Sequence, residues 1–510
     1  MKLPPKRNSW VKRDQVNKSG RPVIATAYDN DEFRDLDEPS AFEDSSTERT
    51  ETDPKILAEL LGERIEPRLI SLSKEDIDLH SKDKWNAKHN PEIVVFAETR
   101  EDVMEVLKFA NRHKLPVTTR GAGVGYVGGC VPVHGGIALS VARMNRIIEL
   151  NPEDGVAVVQ PGVITGVLQE AAAAVGWDYP PDPASLKECS LGGNIATNAG
   201  GPRCLKYGVT RNYVLGLEVV LPSGRVMRCG GRVHKNKTGF DLVGLFTGSE
   251  GMLGVVTEAT LRLIPKPPAR AMLAAVFPEF STAAAAVQAI LNAGHLPSAL
   301  EITDGFTLAA ARKRLGTEML PEGQAHLIVE IDGRPKGVAA ELNELFTLLG
   351  KVGATRIDKA ESEAACEAIW KMRREFSYSL RDTGLTKLNE DIVVPRSKLV
   401  ELVEYARELE EKTGISVACF GHAGDGNIHT NLMVADYDDP KVRMKADAAL
   451  DQLFAWVLKK GGAITGEHGV GLAKKPWIEK ALGENNLEVH RAIKKALDPQ
   501  ATLNPGKFLD

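Results

Sequence analysis

Residues 120–129 read RGAGVGYVGG, five glycines in ten positions, directly after the apolar run LPVTT. Within the stretch, Gly123-x-Gly125-x-x-Gly128 fits the dinucleotide fingerprint G-x-G-x-x-G. That fingerprint requires a helix opening at the glycines, so that its N-terminus meets a pyrophosphate. The sequence that follows, CVPVHGGIALSV, carries Pro132 and the pair Gly135-Gly136, which forbid a regular helix, and 137–141 reads as a strand. A nicotinamide site is therefore not expected. What remains is strand, glycine-rich turn, strand, and residues without Cβ let backbone N–H groups crowd around an anion. A tight turn alone accounts for two or three of the glycines and poorly for five.

Upstream, 93–96 (IVVF) is a short apolar run suited to a buried strand. Thr99 can cap a helix with Asp102 at its third position, and Val103, Val106, Leu107 and Ala110 form one apolar face at helical spacing. Downstream, two further segments share the glycine-rich character: PDPASLKECSLGGNIATNAGG (181–201) and TGSEGMLG (247–254). Pro181 and Pro183 rigidify the entry to the first, and Ser185, Ser190, Asn194, Thr197 and Asn198 offer small polar groups among the glycines. Such composition suits a flat heterocycle edge and a phosphate or ribityl chain passing backbone amides. Any one of the segments could be a surface loop, but three lie between strand-like runs such as 217–221 and 255–263.

The chain has 510 residues, too many for one core, so two or more domains are expected. It is 43% hydrophobic and 26% charged with a net charge of -5, which gives no reason to expect nucleic acid or an anionic membrane surface as a partner. No apolar run approaches the ~20 residues of a membrane span, and the basic N-terminus lacks the apolar stretch of a secretory signal. Six scattered cysteines without a C-x-x-C pair argue against disulfides and against an iron–sulfur cluster held by this chain alone. A cytoplasmic setting is the expectation, with a peripheral place at the inner membrane only through a partner. Residues 1–66 read as a polar, partly flexible N-terminal tail, with DEPSAFEDSSTERTETD its most charged run.

A second constellation is VACFGHAGDGNIHTNLMV, residues 417–434. Asp425-Gly426 is a two-residue hairpin signal flanked by strand-like runs. With those two at the turn, His422 pairs with His429 across the strands, Cβ atoms ~5 Å apart, and Asn431 shares their face. A histidine in a strand is usually satisfied by a hydrogen bond, and a pair can be incidental. Glu467 in ITGEHGVG (464–471), another glycine-framed turn, offers the carboxylate that would turn the pair into a site for a divalent metal.

In order and spacing, RGAGVGYVGG, PDPAS, CSLGGNIATNAGG, LKYG, KTGFDL and FTGSEGMLGVVTE resemble the FAD-binding domain of the vanillyl-alcohol oxidase / para-cresol methylhydroxylase flavoprotein fold. Within that fold the motifs are similar to those of the FAD-linked subunit of glycolate oxidase and its relatives, the D-lactate and D-2-hydroxyglutarate dehydrogenases. It runs from about residue 85 to the C-terminus. The resemblance implies an α+β architecture: a two-subdomain FAD-binding domain at 67–266 and a ferredoxin-like cap domain at 267–510, whose last ~15 residues return to the FAD domain. Its cofactor contacts carry over to Arg120, Gly121, Ala122, Gly123, Val124, Gly125 and Gly128 at the pyrophosphate. The adenine and flavin would meet Pro181, Asp182, Ser185, Gly192, Gly193, Asn194, Thr197, Asn198, Gly200, Glu250, Gly251 and Val256, with Asn504 from the closing N-P-G-K turn. Some members attach FAD through a histidine in the first loop; 121–129 has none, so noncovalent FAD is expected. Relatives carry threonine where Val124 stands, which removes one side-chain contact to phosphate.

The same resemblance assigns His422, His429 and Glu467 as ligands of one divalent metal (Zn, Fe or Mn) and His468 as the base. It extends to Trp370-x-x-Arg373, an arginine expected to clamp a substrate carboxylate, with Arg374 beside it as the other candidate. Asn431 is grouped with His468 and Arg373 as a catalytic residue. The implied reaction is oxidation of a small D-2-hydroxyacid to the 2-oxoacid by hydride transfer to flavin, with electrons leaving to an iron–sulfur subunit, a quinone or a cytochrome. The His429-Thr430-Asn431 run follows the dehydrogenases of larger D-2-hydroxyacids, and Lys387 in KLNEDIVVP could bind a second carboxylate. The alternatives are a noncatalytic flavin subunit, expected to lose both histidine motifs, and a metal-dependent hydrolase, which leaves three glycine loops without a role.

Overall fold

Asp53 and Pro54 start the first helix of the computed structural model, which describes residues 53–317, 320 and 322–509. The Asp53 carboxylate accepts from Lys55 N at 2.9 Å, and Pro54 sits where its missing N–H is harmless. Leu57 and Leu61, one helical turn apart, are fully buried in the same core as the helix at Arg100–His113. A polar tail reaching residue 66 therefore does not describe 54–66: among the described residues, regular structure is already present at Pro54. The acidic run before it lies outside the described residues.

Two sheets build the N-terminal part. The first joins β1 (Ile70–Ser71), β2 (Ile93–Phe96), β3 (Val117–Arg120) and β4 (Ile137–Ser140) in the order β1-β2-β4-β3. β2 and β3 run parallel to β4, so the glycine loop connects two parallel strands through a long irregular crossover. Thr99 caps the Arg100–His113 helix with the full capping box: Asp102 N donates to Thr99 Oγ1 at 3.2 Å and Thr99 N to Asp102 Oδ2 at 2.8 Å. The second sheet is antiparallel, with β5 (Ile147–Asn151), β6 (Val156–Val159), β8 (Val214–Val220), β9 (Val226–Gly230) and β10 (Val255–Arg262) ordered β5-β6-β10-β8-β9. A two-stranded ribbon of β7 (Trp177–Asp178) and β11 (Ile264–Pro265) closes this part.

The C-terminal sheet has seven antiparallel strands: β12 (Ala269–Phe277), β13 (Ala299–Asp304), β14 (Ala325–Gly333), β15 (Arg356–Ala360), β16 (Thr386–Val393), β17 (Ser416–His422) and β18 (Asn427–Val434). Their order is β15-β12-β14-β13-β17-β18-β16. The first four follow the ferredoxin-like order 4-1-3-2, with helices Phe280–Asn292 and Pro335–Lys351 as crossovers. The last three repeat the pattern without a full fourth strand, although Ala463 bridges Val393 at that edge. Residues of alternating sign of face do the rest. One face carries Leu273, Leu300, Ile302, Val329, Ile331 and Leu432 into a core under four helices. The other carries Glu330, Glu301, His422, His429, Asn389 and Asp391 toward the glycine loops.

The C-terminus folds back on the first sheet. Val117 N donates to Thr502 O at 2.7 Å and Asn504 N to Val117 O at 2.8 Å, so 502–504 lies along the edge of β3. The fully buried Lys507 ammonium donates to Gly128 O at 3.1 Å and to Val131 O.

Candidate active site

The three glycine segments meet around one cavity of about 1100 Å³. Gly123 has φ +69°, and a Cβ there would meet the Arg120 guanidinium at 2.0 Å, so any other residue would strain the loop and displace Arg120. Gly121 lies against the second segment: Ser190 Oγ accepts from Ala122 N at 3.3 Å and would stand 2.4 Å from a Gly121 Cβ. That same hydroxyl caps the short helix Leu191–Thr197 by accepting from Gly193 N at 3.4 Å. Part of the second glycine segment is thus a short helix whose N-terminus abuts the first glycine loop.

Gly121, Ala122, Gly123, Val124, Gly125, Asp182, Ser185, Gly192, Gly193, Asn194, Thr197, Gly200, Glu250, Gly251, Val256 and Asn504 line the cavity. Arg120, Pro181, Gly128 and Asn198 do not. Arg120 lies beneath the loop and donates to Lys82 O at 2.6 Å; Pro181 O accepts from Gln169 Nε2 at 3.0 Å. Gly128 N donates to Asp83 Oδ2 at 2.8 Å, and Asn198 ends the 191–197 helix in the left-handed region. These four support the cradle from behind. Glu250 and Asn504 also join distant segments: Glu250 accepts from Val470 N and Gly471 N, each at 2.8 Å, and Asn504 Nδ2 donates to Glu250 O at 2.7 Å.

At the other end of the cavity stands the histidine hairpin, with a register that differs from the two-residue turn. Ala423–Gly426 form a four-residue connection, His422 pairs with Asn427, and His429 faces Phe420. Asn427 fixes this: its Nδ2 donates to Asp391 Oδ1 at 2.7 Å and Ile392 O at 2.9 Å, which pins it inside the strand. The shift is two residues, and an even shift keeps every side chain on its face. His422 and His429 are therefore diagonal neighbours, ring centroids 5.6 Å apart and nearly perpendicular.

Glu467 joins them, its Oε1 3.6 Å from His422 Nε2 and 3.4 Å from His429 Nε2. One ligand atom from each of the three residues lies within 4.8 Å of the others. His422 Nε2 and Glu467 Oε2 are buried with no hydrogen-bond partner among the described residues, which is costly in a closed protein and natural at a cation site. Burial pushes His429 down to about 3, leaving a neutral imidazole. The donor set fits a divalent cation.

Two acids that sequence reasoning passed over organise this cluster. Asp391, fully buried on β16, accepts through Oδ2 from Gly466 N at 3.0 Å, Glu467 N at 2.9 Å and His468 N at 2.9 Å. Burial would raise its pKa, but His468, Lys474 and those amides hold it well below the carboxylate range. Gly466 is required by the same packing, since a Cβ would lie 2.4 Å from Asn427 Nδ2. Glu301, 1% exposed on β13, sits 2.6 Å from His422 Nδ1 and accepts from Arg373 Nε at 2.8 Å. Burial opposes its charge, yet His422 and Arg373 hold it down at about 2. The signal in the sequence was an acid inside an apolar strand run, as in ALEITD, where an ionised group needs dedicated partners.

His468 stacks on His429 at 5.4 Å on one side and faces Tyr126 of the first glycine loop at 5.3 Å on the other. It thus stands between the ligand cluster and the cradle. Arg373 lines the cavity, packed over Phe420 at 4.9 Å, with part of its fork already engaged by Glu301; Arg374 is half exposed and pairs with Glu367 at 3.5 Å. Asn431 does not reach the cavity: its Nδ2 donates to Ala418 O at 2.9 Å and His429 O at 3.0 Å, so it braces the hairpin instead.

A glycine-rich cradle on two small sheets, capped by a seven-stranded sheet, defines a flavoprotein of the para-cresol methylhydroxylase architecture. Solved structures share it: substrate-bound p-cresol methylhydroxylase aligns with TM-score 0.74 at 21% identity over 89% of this chain and 96% of that one. The 4-ethylphenol oxidase of Gulosibacter chungangensis aligns with TM-score 0.73 at 20% identity, covering 89% and 96%. Residues 91–230 match the family described as FAD binding domain, and 266–508 match FAD linked oxidases, C-terminal domain. Glycolate oxidase subunit GlcD of Bacillus subtilis (strain 168) is 38% identical over 82% of this chain and 89% of its own length. D-lactate dehydrogenase of Archaeoglobus fulgidus is 36% identical (82% and 91%), and D-2-hydroxyglutarate dehydrogenase of Stutzerimonas stutzeri 32% (90% and 99%). The chain belongs to the FAD-linked oxidases and is an FAD-dependent oxidoreductase. Among the described residues no helix is long and apolar enough to cross a membrane.

Proposed function

We propose that the chain oxidises a small D-2-hydroxyacid, of the glycolate, D-lactate or D-2-hydroxyglutarate class, to the 2-oxoacid. The observation that carries this reading is the convergence of His422, His429 and Glu467 with His468 and Arg373 at one end of the cavity whose other end is the glycine cradle. The names of the three relatives support the substrate class.

Bound FAD supplies the acceptor for the C2 hydrogen and its electron pair, and a divalent cation held by His422, His429 and Glu467 supplies positive charge for the substrate's carboxylate and hydroxyl oxygens. Arg373 holds the carboxylate with the part of its fork that Glu301 leaves open. His468 takes the hydroxyl proton as the carbonyl forms, and Asp391, bonded to its backbone and 3.8 Å from its Nδ1, keeps the ring in place. The glycine loops hold FAD noncovalently, since 121–129 contains no histidine. The acceptor for electrons from bound FAD would be a partner protein or a quinone; GlcD is named as a subunit, which supports an assembly of more than one chain.

The test is anaerobic addition of glycolate, D-lactate and D-2-hydroxyglutarate to the purified yellow protein, with and without a chelator. Loss of the flavin's visible absorption with one acid, abolished by the chelator, is expected. A flavin that none of the three bleaches removes the hydroxyacid reading.

A further inference from the structure

Glu301 is 1% exposed, and an ionised carboxylate so enclosed is tolerated only when both oxygens are engaged. They are engaged by two residues with different tasks. Oε1 is 2.6 Å from His422 Nδ1, while Oε2 lies 2.8 Å from Arg373 Nε and 2.6 Å from Arg373 Nη2. The first contact fixes which nitrogen of His422 is left to bind a ligand: Nε2, which faces Glu467 at 3.6 Å and has no hydrogen-bond partner among the described residues. The second contact fixes the angle at which the guanidinium stands over Phe420, the cross-strand neighbour of His429. β13 brings this about, because Glu301 lies directly opposite His422 in the sheet.

We infer that Glu301 is a positioning residue that couples the cation site to the carboxylate clamp, so that cation affinity and substrate-anion affinity rise and fall together. The inference rests on the proposed roles of His422, His429 and Glu467 as cation ligands and of Arg373 as the clamp. A different role makes the opposite forecast. If Glu301 only neutralised Arg373, it would compete with the substrate carboxylate, and its removal would tighten anion binding.

The experiment uses the FAD-loaded full chain, stripped of metal, as wild type, Glu301→Gln and Glu301→Asp. Zn2+ and Mn2+ affinities are measured by competition with a chromophoric chelator. Oxalate affinity is read from the flavin spectrum at saturating metal. Glu301→Gln is expected to weaken metal binding about 10–100-fold and to weaken oxalate binding as well, with Glu301→Asp restoring part of both. Unchanged metal affinity, or unchanged or tighter oxalate binding, in Glu301→Gln overturns the inference. If Glu301→Gln does not fold, Glu301→Asp decides: wild-type affinities in that variant overturn it and reduced ones support it. A wild type that binds neither metal instead refutes the cation site itself.

Discussion

The Asp391 carboxylate accepts the backbone N–H of His468 at 2.9 Å and lies 3.8 Å from the same residue's ring nitrogen. One buried acid thus shapes the loop that carries Glu467 and also faces the ring beside it. In Asp391→Asn an amide NH2 would point at backbone donors. Breaking such a buried, charge-bearing network costs about 3–5 kcal/mol of stability. The expected outcome is a lower melting temperature together with slow flavin reduction, read by thermal unfolding and stopped-flow absorbance.

His468→Gln keeps the size of the ring and removes the base. FAD content should match wild type, while the rate of flavin reduction by substrate falls on the order of 10²–10⁴-fold. Stopped-flow reduction at wild-type speed would sink the assignment.

Metal removal separates the two ends of the cavity. Dialysis against a chelator should leave the flavin spectrum intact, because the glycine cradle is built from Gly121, Ser190 and their neighbours and not from the histidines. Reduction by hydroxyacid should disappear and return with added Zn2+ or Mn2+.

Lys387 gives the substrate prediction and its pH dependence. Its ammonium donates to Ser377 Oγ at 2.8 Å; Ser377 and Arg381 line the cavity one and two helical turns from Arg373. Burial, with Arg381 beside it, pushes Lys387 down to about 8 from its ordinary 10.5. A second substrate carboxylate would be held by the charged form, so KM for D-2-hydroxyglutarate should climb as pH rises past about 8 while KM for D-lactate does not follow. Stability runs the other way: the unfolded chain keeps this proton to higher pH, so the Lys387 contribution improves between about 8 and 10.5. Lys387→Met should remove the substrate difference, as initial rates across pH will show.

Leu61→Ala tests whether 54–62 belongs to the fold. Leu61 is fully buried, and such a truncation costs about 2–5 kcal/mol. Denaturant unfolding that leaves the midpoint unmoved would mean the helix is dispensable.

Much of this was readable along the chain because it is local. The Thr99 capping box, the strand at 93–96 and the refusal of a helix after RGAGVGYVGG each rest on a few neighbouring residues. Helix 54–62 was hidden by its acidic surroundings, although Asp53-Pro54 followed by Leu57 and Leu61 carried a start signal and an apolar stripe. Asp425-Gly426 on its own predicts a two-residue turn; Asn427, held by Asp391 from another strand, lengthens the connection to four residues and shifts the pairing by two.

The order of strands and glycine turns, the residue types at the cluster and the shared face of His422, His429 and Asn431 follow from the chain alone, since periodicity and backbone freedom act within a few residues. Only the tertiary structure decided that Glu301 meets both His422 and Arg373, that Asp391 folds the 466–468 turn, and that Asn431 turns to the backbone. Those pairings join residues up to 121 apart along the chain. They depend on which strands and turns the seven-stranded sheet brings side by side, and burial makes each charged group rely on the partners placed there instead of on water.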